Sequence, residues 1–222
     1  MTITIIALNV AVFVFALLLP RYGLTEHGLY TRAGVTPYEL THRVDVPPEN
    51  LVPWWVTMFS SLFIHGGWLH IVFNMLFLWV FGNNVEDRMS RPRYLAFYLI
   101  CGIAATVAQV AVQPDSMTPL IGASGAIAGV LGAYLLLFPR ARVLTVIPLF
   151  ILFPVVYVPA WALLLLWFAV QAVQGVVTLD SPDAGVAFFA HVGGFVAGLA
   201  LVFLFVDRRA SRARRRPRRP LG

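Results

Sequence analysis

Lysine is absent from this chain of 222 residues, and all sixteen basic side chains are arginine. Charge of either sign is scarce, at 12% of residues, where a soluble domain carries about 25%. That shortage excludes an ordinary cytosolic enzyme and a disordered chain alike. Cysteine is reduced to Cys101, set in an apolar run, which rules out an internal disulfide or a cysteine-ligated metal site. No phosphate-binding loop, dinucleotide fingerprint or HExxH helix occurs. His65 and His70 lie five apart with no carboxylate near them in sequence, a poor metal site, and no cofactor is expected.

What is present is hydrophobic: 59% of the residues, with a mean hydropathy of +0.81. The composition predicts an integral membrane protein in one compact domain over residues 1–206. A bilayer core of about 30 Å takes about 20 apolar residues of helix. Candidate spans are Ile3–Leu19, Ile64–Phe81, Tyr94–Val112, Leu120–Phe138, Pro159–Thr178 and Ala184–Val206. The first has no basic residues ahead of it and no small-x-small cleavage site, so it reads as an anchor. Between the first two runs a long mixed segment with Pro37, Pro47, Pro48 and Pro53, whose Trp54 and Trp55 suit a headgroup level. Val143–Leu179 carries no charge and is too long for one span; Pro148, Pro154 and Pro159 interrupt its first half. Val143–Val158 is therefore expected as an interfacial or re-entrant piece. The fold expected is an all-α membrane protein, a bundle of six transmembrane helices with a long first external loop.

The net charge of +6 supports that count. With six spans, Arg88, Arg91, Arg93, Arg140, Arg142 and the eight arginines between Arg208 and Arg219 share one side, thirteen of the sixteen. Seven of the ten acids fall on the other. The positive-inside rule puts the arginine-rich side, with both termini, in the cytoplasm. A seventh span would export the arginine tail. Residues 207–222 are read as a basic cytoplasmic tail, expected to be disordered, and the arginines as a topological label with no nucleic-acid partner.

Strongly polar groups inside spans carry the functional signal. They are His65, His70 and Asn74 in HGGWLHIVFN, Ser124 in GASG and His191 in AHVGGFVAG. Singly each has a plainer role: a membrane serine bonds its own helix backbone, and a lone His or Asn bridges helices. Jointly they do more. The second, fourth and sixth spans all enter from outside, and His70, Asn74, Ser124 and His191 each fall within about two turns of that end. His70 and Asn74, four apart, share a helical face. Gly125 and Gly129 follow the serine as GxxxG, and Gly194 and Gly198 follow His191 in the same way. Such faces let helices pack backbone to backbone, bringing Ser124 toward His191. A neutral imidazole activates a serine hydroxyl, and the resulting oxyanion needs donors, here Asn74, His70 and the Ser124 backbone N–H. With no Asp or Glu in the membrane to orient the histidine, a Ser–His dyad is the economical reading.

These motifs, with GNNVEDR after the first, resemble the rhomboid intramembrane serine proteases in order, spacing and topology, over roughly Phe59 to Val206. The resemblance implies a six-helix bundle with a Ser–His dyad that cleaves transmembrane segments of single-pass membrane proteins near their outer ends. Ser124 matches the nucleophile and His191 the base; His70 and Asn74 match the oxyanion-stabilising pair; Glu86 and Arg88 match a structural ExR element in the cytoplasmic loop. It also implies a multi-pass protein of the plasma or inner membrane. Two positions depart from the pattern. Val56-Thr57 stands where many members carry Trp-Arg, and Ala128 stands where some place an aromatic against the histidine ring. Two alternatives make different predictions. A catalytically silent rhomboid-like binding or quality-control protein predicts a lost serine or histidine, and both are present. A solute transporter would place its polar residues near the midplane and show an inverted repeat.

Overall fold

The structure is a computed structural model that describes residues 1–19, 26–147, 153–179 and 186–207. Among these residues the chain is mostly helical. Four helices are long and apolar enough to cross a membrane: Trp68–Glu86, α7 (Arg91–Val112), α9 (Ala160–Val177) and α10 (Phe188–Phe205). Two apolar helices are shorter, α1 (Thr2–Leu18) and α8 (Ser124–Leu137). The Trp68–Glu86 helix consists of α5 (Trp68–Phe77), a π-helical turn over Leu78–Gly82 and α6 (Asn83–Glu86). It starts four residues later than the hydropathy suggests because Gly67 holds φ 147°, outside any helical conformation. The first loop is built from α2 (Glu26–Ala33), α3 (Pro37–His42) and α4 (Thr57–Ser60). Beyond Asp207, the tail expected to be disordered lies outside the described residues.

α8 packs against α7 and α10, which also pack on each other, and the three form the centre of the bundle. Every residue from Gly125 to Tyr134 is buried. Glycine makes this possible. A methyl group on Gly194 would overlap the Gly125 carbonyl oxygen, and one on Gly198 would overlap that of Gly129. Gly129 in turn meets the Cys101 side chain of α7. The two GxxxG faces thus pack on each other as expected, backbone against backbone. α1 attaches by a stripe at helical spacing, with Ile5, Asn9, Phe13 and Ala16 buried and Ile3, Val10, Val14 and Phe15 exposed.

Met1 and Asp207, the first and last described residues, both meet the connection between α6 and α7. The Met1 ammonium donates to Glu86 Oε1 at 2.6 Å and the Thr2 N–H to Oε2 at 2.7 Å, so the carboxylate sits at the α1 N-terminus. The Asp207 N–H donates to the Arg88 carbonyl at 2.9 Å, and the Arg88 guanidinium lies 5.4 Å from the Phe138 ring centre. Glu86 and Arg88 are accordingly structural: they tie α1, α8 and the end of α10 together.

Between α8 and α9, in the stretch expected as an interfacial or re-entrant piece, the described residues form two paired strands. β1 (Arg142–Val146) pairs antiparallel with β2 (Val155–Pro159), Val143 opposite Val158 and Val146 opposite Val155. The reason is local: both stretches are rich in β-branched side chains, and Pro154 and Pro159 forbid a helix through them. Leu144, Val146, Val155 and Tyr157 are left exposed on them.

Candidate active site

Ser124 is the first residue of α8, and α8 is short. Its 14 residues rise about 21 Å, well under a bilayer core of about 30 Å. The segment before it is extended: Val35 and Leu120 exchange backbone hydrogen bonds of 3.0 and 2.7 Å, and the Gly122 N–H donates to the Ser61 carbonyl at 2.9 Å. Gly122, at φ 113°, turns the chain into the helix. The serine thus sits at the N-terminus of a short helix, where the first-turn N–H groups have no intrahelical acceptor. That first-loop anchorage runs through Ser60 and Ser61; the Ser60 hydroxyl donates to the Ala33 carbonyl at 2.7 Å. It does so without the Trp-Arg pair that Val56-Thr57 replaces.

His191 lies in the first turn of α10. Its Nε2 is 2.8 Å from Ser124 Oγ, and its Nδ1 is 2.6 Å from Gln171 Oε1 on α9. The start of α10 is tied to α7 by Gln109, a buried side chain whose Oε1 accepts the Ala190 N–H at 3.1 Å. Trp167, one turn before Gln171, lies beside the imidazole with ring centres 5.9 Å apart and planes inclined by 39°. It supplies from α9 the aromatic neighbour that Ala128 does not.

His70 and Asn74 line the same cavity from α5. The Gly66 N–H donates to His70 Nδ1 at 3.3 Å, so a neutral His70 carries its proton on Nε2. That Nε2 faces Gly122, where a β-carbon would stand 2.6 Å away. Asn74 is buried and its Nδ2 donates to the His70 carbonyl at 2.8 Å, leaving a second N–H on the same nitrogen. His65 is not part of the cavity lining. It is buried against the edge of His70, ring centres 5.1 Å apart, and its ring nitrogens have no hydrogen-bond partner among the described residues. No cluster of three metal-ligating side chains occurs among those residues either.

The cavity measures about 490 Å³. Its polar members are His70, Asn74, Ser124, Gln171 and His191; the rest is apolar, with Phe73 and Phe77 from α5 and Trp167 from α9 as side walls. His191 from α10 and His70 from α5 thus line one cavity together with the Ser124 hydroxyl. Sequence reasoning finds Ser124, His191, His70 and Asn74. It misses Gln171, Gln109 and Trp167. The available signal was that Gln171 and Gln174 are the polar residues of an otherwise apolar span.

The Rhomboid domain family model matches residues 53–208. Rhomboid protein 1, mitochondrial, of Saccharomyces cerevisiae is 30% identical over 171 residues, 72% of this chain and 44% of that protein. Rhomboid protease GluP of Bacillus subtilis is 40% identical over 82 residues, 37% of this chain and 15% of that protein. Presenilin-associated rhomboid-like protein A, mitochondrial, of Danio rerio is 31% identical over 149 residues, 64% of this chain and 35% of that protein. The chain spans less than half the length of each of these relatives.

Proposed function

The chain belongs to the rhomboid family, and from that premise we propose that it is an intramembrane serine endopeptidase. Its substrates are single-pass membrane proteins, cut within or beside the outer end of their transmembrane segments. Family membership supports protease-like chemistry in the membrane in general terms; the finer reading rests on one observation, the 2.8 Å contact between Ser124 Oγ and His191 Nε2 inside a largely apolar cavity. His191 takes the hydroxyl proton as Oγ attacks the scissile carbonyl. His70 Nε2–H, the spare Asn74 N–H and the Ser124 backbone N–H stabilise the oxyanion. His191 then returns the proton to the departing amine, and water hydrolyses the acyl-enzyme by the same steps in reverse order. Ser124 and His191 catalyse; His70 and Asn74 stabilise.

The substrate must unwind locally, because a helical carbonyl is engaged with its own backbone. Gly or Pro near the outer end of its span lowers that barrier. The domain is residues 1–206, and the tail from 207 is a cytoplasmic appendage. The protein resides in the plasma or inner membrane with both termini in the cytoplasm, as its arginine distribution favours.

Reconstitution in liposomes with a labelled transmembrane substrate tests the reading. Wild type is expected to cleave and Ser124→Ala to lose all cleavage above background. Equal cleavage by both, or none by wild type across a broad substrate panel, would refute it.

A further inference from the structure

We propose that Gln171 is the positioning residue of His191, standing where a soluble serine protease uses a carboxylate; the inference rests on the protease reading above. An imidazole serves as base toward Ser124 only when Nε2 is unprotonated, which requires the proton on Nδ1. Nδ1 faces Gln171 Oε1 at 2.6 Å, and an amide oxygen only accepts. This pairing selects the Nδ1–H tautomer and leaves the Nε2 lone pair for the serine hydroxyl 2.8 Å away. Were the amide turned round, its NH2 would donate to Nδ1, Nε2 would carry the proton, and His191 would be unable to accept from Ser124. The direction of one amide therefore decides whether the pair is competent.

The choice of residue follows from the medium. A carboxylate would orient the ring equally well, but an ionised side chain in a membrane span is strongly unfavourable. A glutamine presents the same acceptor without the charge. Its helix also places Trp167 beside the same ring, so α9 constrains His191 both in plane and at its face. In the reaction, the Nδ1 proton stays on its hydrogen bond to Gln171 while Nε2 gains the Ser124 proton and later releases it to the leaving amine.

The test reads the tautomer directly. Full-length protein with 15N-labelled histidine is reconstituted in lipid bilayers at a pH where the imidazoles are neutral, and the His191 ring nitrogens are assigned against His191→Ala. Wild type is expected to hold the Nδ1–H form, and Gln171→Met, of similar size without the acceptor, to show both tautomers. In the cleavage assay Gln171→Met is expected to lower kcat about 10- to 100-fold with KM little changed, and Gln171→Glu to recover part of the loss, more at higher pH where its carboxyl ionises and only accepts. An Nε2–H signal in wild type overturns the role of Gln171 whether or not any variant folds. Equal losses in Gln171→Met and Gln171→Glu, carried by KM, likewise mark it as merely structural. Because the tautomer is read without substrate, a wild type that shows Nδ1–H yet cleaves nothing instead overturns the protease reading.

Discussion

α8 and α9 both supply the candidate site, yet they are held in opposite ways. α8 is buried on all sides over ten consecutive residues, Gly125 to Tyr134. α9 buries only Ala160, Leu164 and Gly175 among its 18 residues, and Leu166, Val173 and Val177 point outward. The first carries the serine, whose place relative to the α10 histidine tolerates almost no movement. The second carries Gln171 and Trp167, which reach the histidine from a helix with a mostly lipid-facing surface. Ser124 is thus locked by backbone packing, and the groups that contact the His191 ring are attached to the more loosely held wall of the cavity.

Substitutions in the two regions should separate accordingly. The largest effect is expected at the α8–α10 contact. Gly198→Leu drives a side chain into the Gly129 backbone and should destabilise the fold by about 1–3 kcal/mol or more. Thermal unfolding in detergent would register this as a clearly lower Tm or as failure to accumulate. An intermediate effect is expected at Asn74, whose removal takes away one of the proposed oxyanion donors. Asn74→Ala should lower kcat about 10²-fold, with KM and Tm near wild type; a change confined to KM would remove Asn74 from the oxyanion site. The smallest belongs to the outer face of α9. Val173→Ala should leave cleavage within about twofold and stability within about 0.5 kcal/mol. A large loss there would show that α9 is as tightly constrained as α8 and would erase the contrast between them.

Much of this was legible from the sequence because membranes simplify the code. A bilayer enforces long apolar runs, so the helices announce themselves, and each polar exception stands out against them. Ser124, His191, His70 and Asn74 are visible for that reason, and the two GxxxG faces because small residues leave a spacing that survives without structure. Gln171 and Gln109 escaped because an uncharged amide in a span reads as ordinary helix pairing. Nothing local tells that one faces the imidazole and the other the start of α10. Trp167 is one of many apolar residues on its helix, and only the arrangement of α9 against α10 distinguishes it. The strand pair was hidden by its own hydrophobicity. A run of Val, Leu and Pro marks a membrane-associated segment, but strand pairing depends on which residues end up opposite one another. The late start of α8, at Ser124, follows the pairing of Leu120 with Val35, a contact between distant parts of the chain.

The claim at the centre is that Ser124 is a nucleophile because His191 makes it one. Covalent labelling tests this most directly. Protein in lipid is treated with a fluorophosphonate, and the modified residue is located by mass spectrometry in wild type and in His191→Ala. A single adduct on Ser124 in wild type, with labelling at least tenfold slower in His191→Ala, is the expected result. An adduct on another side chain, or Ser124 labelling at an undiminished rate without His191, would contradict it.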